Sequence, residues 1–221
     1  LGRTHLDRMA LAIGQDESIS WFENLGNQQF ATAAVLFPAG SKIQRVVSGD
    51  IDQDGDDDLV IAFLNPTGNG GWFSWFENLG DATFSEERVL VTGLSGPRSA
   101  IIADLNGDLQ NDIAITAIFS DALRWFPNNG SNVFSTSLEV DQPADANGVL
   151  GLDAGDIDHD GDIDLVAAVN DDNDIAWWRN NGTGVFTKFV VTTNNSEPVN
   201  VRLGDYDLDG DLDVLTDSSI T

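Results

Sequence analysis

The 221-residue chain has a formal net charge of −27, from 37 acidic against 10 basic residues, yet 41% of it is hydrophobic. The apolar share supplies a sizeable core and excludes a disordered acidic tail; the acid excess excludes nucleic acid and anionic membrane surfaces, which need Lys and Arg patches. There is no cysteine, which removes disulfides and thiol chemistry, and no apolar run near 18 residues offers a membrane insertion.

The N-terminal part reads as the inside of a repeat. Residues 6–13 align with a strand that elsewhere follows an acidic loop, but residues 1–8 carry no Asp series. Leu1 therefore reads as the start of a fragment or a processed chain. The aromatic segment 21-WFENLG-26 comes next, with Phe30 four residues after its glycine.

The second repeat is the most complete. The run 43-IQRVVSG-49 reads as a strand, followed by the loop 50-DIDQDGDDD-58 and the apolar strand 59-LVIAFL-64. After the turn 65-NPTGNGG-71 come a strand 72-WFSWFEN-78, the turn LGDA and a strand running through Phe84 to Val91. The third repeat follows the same order, with the loop 104-DLNGDLQND-112, then IAITAIF and 125-WFPNNG-130 before Phe134. The fourth has 156-DIDHDGDID-164, LVAAV, the turn 170-NDDND-174, and 177-WWRNNG-182 before Phe186. A last loop, 205-DYDLDGDLD-213, opens a partial fifth unit.

The four acidic loops start 54, 52 and 49 residues apart, and the aromatic segments keep phase with them. Two motifs at one period mark a repeat array. Four short strands per period, with no convincing helix, predict an all-β fold: a β-propeller, or part of one, built from four-stranded antiparallel blades. The blades are expected at 1–41 (partial), 42–95, 96–146, 147–197 and 198–221 (partial). A blade meets a neighbour on both faces, so Trp75 and Phe76, on opposite faces of one strand, can both be buried. Core packing is the plain reading of these aromatics. A sugar-stacking platform is the functional one, best placed at Trp177 or Trp178.

The GDxDxDGDxDL loops, the aliphatic strand after them and the WFENLG-to-Phe segment resemble the FG-GAP/VCBS repeat family, which includes the integrin α-subunit propellers. The resemblance covers nearly the whole chain. It implies a propeller usually of seven blades, and hence a chain that is part of a larger propeller or is completed by other chains; the less favoured alternative is that the partial ends combine into a closing blade of a four-bladed ring. Some lectins are built from similar repeats, and such domains also occur appended to enzymes.

Six aspartates in the nine residues 50–58 repel one another. Their spacing shows what neutralises them. Asp at positions 1, 3, 5 and 9, with Gly at 6, is an oxygen-ligand pattern for Ca²⁺, and position 7 offers a backbone carbonyl. The first loop would use Asp50, Asp52, Asp54 and Asp58 with the carbonyl of Asp56. The third would use Asp156, Asp158, Asp160 and Asp164 with Asp162. The fourth would use Asp205, Asp207, Asp209 and Asp213 with Asp211. The side chains of Asp56, Asp162 and Asp211 are expected to point outward. In the second loop Asp104, Asn106, Asp108 and Asp112 hold the ligand positions and Gln110 holds position 7. There Gly107 is at position 4 and Leu109 at 6, so weaker binding is expected. Up to four Ca²⁺ would bind, and they would bring −27 to −19. Solvated acidic turns are the alternative, but solubility does not require this spacing.

No catalytic constellation emerges, so the expectation is not an enzyme. His159, at position 4 of its loop, reads as a solvated turn residue. The turns at 65–71, 120–122 and 170–174 vary between repeats and are candidate recognition loops. Asn129, Asn181 and Asn194 head glycosylation-type triplets. The expected role is extracellular or cell-surface binding of a glycan or protein ligand. The alternatives are a structural subunit of an extracellular assembly that self-associates through its partial end repeats, and the non-catalytic part of a larger secreted enzyme.

Overall fold

The computed structural model describes residues 10–13, 18–22, 24–27, 29–31, 34–37, 42–67, 70–80, 83–130, 133–134, 136–141, 146–193 and 196–218. His5, Asn194 and the readings made for residues 1–9 and 219–221 lie outside them.

The described residues form an all-β structure of successive antiparallel meanders. The second sheet has Ile43–Gly49, Asp58–Leu64, Gly71–Phe76 and Arg88–Leu94 side by side in chain order. The third has Pro97–Ala103, Asp112–Ala117, Ala122–Phe126 and Leu138–Glu139. The fourth has Val149–Gly155, Asp164–Val169, Asp174–Asn180 and Phe186–Thr192. Before them lies a three-stranded sheet of Ala10–Ile13, Ile19–Phe22 and Ala34–Phe37; after them, the pair Pro198–Gly204 and Asp213–Ser218. The described sheets do not close into a ring.

Each acidic loop joins the first two strands of its sheet. The aspartate at position 9 is already the first residue of the second strand, paired in register with Gly49, Ala103, Gly155 or Gly204. First strands of successive sheets touch, 43–49 against 97–103, then 149–155, then 198–204. They form the inner side of the array and bring the four acidic loops to one end of it.

The core lies between the sheets. Trp75 faces forward into a cluster with Ile113 and Ile115 of the third sheet, while Phe76 faces back into one with Ile19 of the first. Trp125 and Phe126 divide in the same way between the fourth and second sheets. Both members of each pair are buried, as the two-faced blade requires. In the fourth sheet Trp178 is buried and Trp177 is half-buried against Phe189, at a ring distance of 5.1 Å. The phenylalanine after the aromatic segment of the second, third and fourth sheets packs on the sheet before it. Phe134 meets Trp75 edge-on at 5.8 Å, and Phe186 meets Trp125 at 6.4 Å.

Two local expectations change. Phe84 is not in the fourth strand; it makes an isolated bridge to Asn78, and the strand begins at Arg88. The Ser85 amide donates to the Glu77 carbonyl (2.8 Å), and its hydroxyl accepts from the Glu77 amide (3.0 Å). These bonds close a small loop before the outer strand starts. The turn after Asp112–Ala117 contains a single 3-10 turn, Ile118–Ser120, ended by Asp121 in a left-handed conformation.

Candidate metal centre

In three loops the backbone bends at two places. Position 4 is left-handed at Gln53, His159 and Leu208, with φ of 61°, 60° and 64°. The glycine at position 6 sits at 99°, 96° and 101° in Gly55, Gly161 and Gly210, a conformation that suits a residue without Cβ. The second loop exchanges these residue types: Gly107 takes position 4 at 75°, and Leu109 is held at 67° in position 6. Position 6 was legible from the sequence. Position 4 was not, because Gln, His and Leu give no sign of a left-handed residue.

The bends turn the carboxylates inward. Ligand oxygens of Asp50, Asp52 and Asp58 lie within 4.8 Å of one another, as do those of Asp156, Asp158 and Asp160, and of Asp205, Asp207 and Asp213. The position-1 carboxylate braces the turn: Gly55, Gly161 and Gly210 donate their amides to Asp50, Asp156 and Asp205 at 3.2, 3.1 and 3.1 Å. Position 5 accepts the position-7 amide, Asp56 to Asp54, Asp162 to Asp160 and Asp211 to Asp209, at 2.9–3.0 Å. Asp54, Asp164 and Asp209 stand outside the three-carboxylate groups. The second loop forms no such group. Asn106 donates its side-chain amide to Asp108 (3.0 Å), and Asp104 takes the amides of Gly107 and Leu109, both at 2.8 Å. The Gln110 amide donates to Asp108 (2.8 Å).

At position 7, Asp56 and Asp211 are exposed and Asp162 is half-buried. His159 is not simply solvated: its Nε2 stands 3.3 Å from the Asp211 carboxylate of the next loop.

The position-9 aspartate does more than the sequence indicated. Asp58, Asp112 and Asp164 are each 0% exposed. One oxygen accepts the amide of position 2: Ile51, Leu105 and Ile157 donate at 2.9, 3.0 and 3.2 Å. The other accepts the amide of Asn78, Asn128 or Asn180, at 2.7 Å in each case. Burial pushes the Asp58 carboxyl up to about 7 and Asp112 up to about 6, against the pull of these amides. Burial raises Asp164 too, and raises Asp52 with help from the neighbouring charge of Asp54.

Those asparagines are the functional residues that sequence reading missed. The Asn128 side chain donates to the Asn111 carbonyl of its own loop and to the Ile51 carbonyl of the loop before it, both at 3.1 Å. Asn180 donates likewise to Ile163 (2.9 Å) and Leu105 (2.7 Å). Each thus ties two acidic loops on neighbouring sheets, while its oxygen accepts the amide of Gly130 or Gly182. Asn111 adds a bond to the Asp50 carbonyl (2.7 Å), and Gln53 donates to the Leu109 carbonyl. The signal was present: Asn holds one offset in WFEN, WFPN and WWRN.

The donor set is suited to a hard cation. It is all oxygen, mostly carboxylate, and bent round a common point. One observation aims it further: Asp50 Oδ1 is buried and has no hydrogen-bond partner. A buried carboxylate oxygen without a donor is costly unless a cation meets it.

The comparisons agree with the repeat pattern. An FG-GAP-like repeat model matches residues 7–61, 50–115, 104–167 and 156–216, so successive matches overlap at the acidic loops. No curated protein matches the chain. Among solved structures, the chain is similar to an Agrocybe aegerita lectin described as recognising non-reducing terminal N-acetylglucosamine. The identity is 17% and the TM-score 0.65, with 96% of this chain and 58% of the lectin chain covered. The chain thus spans less than two thirds of that structure, and the likeness is one of fold. With the repeat model matched from residue 7 to 216, the chain belongs to the FG-GAP-like repeat family.

Proposed function

We propose that this chain is a calcium-binding, propeller-type repeat unit that works outside the cell by binding a ligand rather than by catalysis. The observation that carries the calcium reading is the buried Asp50 Oδ1, without a donor, in a loop whose Asp50, Asp52 and Asp58 oxygens converge. The same residues, with Asp54, would hold the ion in the first loop. Asp156, Asp158, Asp160 and Asp164 would do so in the third, and Asp205, Asp207, Asp209 and Asp213 in the fourth. When bound, the ion supplies positive charge that relieves carboxylate repulsion.

The chain's own residues do the rest. Asp58, Asp112 and Asp164 link the loop to the asparagine turn. Asn128 and Asn180 link one loop to the next. Calcium would therefore stiffen the contact between blades as well as the loop that holds it. Extracellular calcium modules bind at submillimolar to millimolar calcium; loops of that affinity would fill outside the cell and not inside it.

A glycan is the favoured ligand. The similar lectin supports it, as does the half-buried Trp177 beside Phe189. The test is calorimetric calcium titration with thermal melts in calcium and in EDTA, followed by a glycan screen under both conditions. Saturable calcium binding, a raised melting temperature and glycan binding lost in EDTA are expected. An identical melt in EDTA would refute structural calcium. An empty glycan screen with intact, calcium-loaded protein would leave a protein ligand or an assembly role.

A further inference from the structure

At the end of the sheets opposite the acidic loops lies a second feature, about 20 Å away along the seven-residue first strands. It is a cleft of about 360 Å³ lined by Gln44, Arg98, Phe119, Leu150, Asn170 and Val199, among others. Gln44, Arg98, Leu150 and Val199 come from the starts of four successive first strands. Phe119, on the 3-10 turn, is 74% exposed at its edge. It offers an apolar ring face at the rim of the cleft.

The charge here runs against that of the molecule. The chain has only 10 Lys and Arg against 37 acids. Among the described residues, Arg88, Arg124, Arg179 and Lys188 each stand against a carboxylate. Arg45, Arg98 and Arg202, all on inner first strands, form no ion pair among them. Arg45 is half-buried and its Nε is buried without a hydrogen-bond acceptor. Burial, then the like charges of Arg202 and Arg98, hold its guanidinium below the ordinary value, so the three groups share one field. Arg202 reaches only backbone carbonyls, those of Val201 (3.1 Å) and Leu152 (3.5 Å). In so acidic a chain, three guanidinium groups without an ion-paired carboxylate among the described residues offer positive charge to an anion. A guanidinium presents a planar fork of donors matched to an oxyanion.

We propose that this inner cleft binds a small ligand bearing an oxyanion, a carboxylate or a sulfate. Arg98 takes the anion, Asn170 and Gln44 supply polar contacts, and the Phe119 ring covers an apolar face, while Arg45 adds positive charge to the field around them. The site is separate from the loops and does not require them to hold calcium.

The test is calorimetric titration of the calcium-equilibrated chain with glucuronate, sulfate and, as the neutral control, glucose, at matched ionic strength. Saturable binding of either anion, none of glucose, and at least tenfold weaker binding in Arg98→Gln are expected. Arg98 is exposed, so that variant keeps the fold. Glucuronate binding marks a ligand with a carboxylate on a sugar-like body; sulfate binding alone marks the bare oxyanion. The titration repeated in EDTA, at a temperature where circular dichroism shows the chain folded, should give the same affinity. Three results would overturn the proposal: no saturable binding of either anion, binding unchanged in Arg98→Gln, or binding lost from the folded chain in EDTA, which would place the anion on a loop-bound ion.

Discussion

On the calcium proposal, chelation should invert the pH dependence of stability, and the buried position-9 aspartates determine the sign. In the metal-free fold Asp58 lies at about 7, against an ordinary 3.8, because of burial. A carboxyl group with a raised folded pKa holds its proton more tightly folded than unfolded. The chelated protein therefore gains stability as pH falls through about 7 toward 3.8, and loses it as pH rises through that window. The difference corresponds to roughly 4 kcal/mol for Asp58 and roughly 3 kcal/mol for Asp112, whose value is about 6. The proposed calcium would bind the ionised form, so a loaded protein should behave in the opposite way, becoming more stable as pH rises. The assay is urea unfolding at pH 5, 6, 7 and 8, in EDTA and in calcium, followed by tryptophan fluorescence. General charge repulsion also falls with acid, so Asp58→Asn is needed to isolate the buried group. Its curve in EDTA should be flatter than the wild-type curve by a few kcal/mol across the window. Parallel curves for the two proteins in EDTA would refute the reasoning.

Three other outcomes follow from the loop geometry. Asn128→Ala removes three hydrogen bonds and leaves the Ile51 and Asn111 carbonyls without their donor, so urea denaturation should show a loss of about 2–4 kcal/mol. Asn78→Ala should lose about 1 kcal/mol less, since that side chain donates to one loop carbonyl, Asp57. Leu109→Gly relieves a left-handed leucine at φ 67° and should stabilise the chain by up to ~1 kcal/mol, net of the glycine's entropy; a less stable variant would show that this conformation carries no strain.

Much of the architecture was determined along the chain. The period of about 50 residues, the alternation that sends Trp75 and Phe76 to opposite faces, and the glycine at position 6 are local features, fixed by strand geometry and backbone sterics. The ligand spacing was legible for the same reason, because residues two apart in a tight loop are neighbours in space. Tertiary structure decided the rest, because it depends on which loop lies beside which. Asn128 reaches Ile51, 77 residues away, and Asn180 reaches Leu105, 75 away. Such bonds exist only once the sheets stack, and no short-range pattern states them. The burial that raises Asp58 has the same origin: the charge is in the sequence, but the apolar neighbours that desolvate it arrive from the sheets on either side. The gathering of Arg45, Arg98 and Arg202 was equally invisible. Three arginines more than 50 residues apart in sequence come to share one field only because first strands line the inner side of the array.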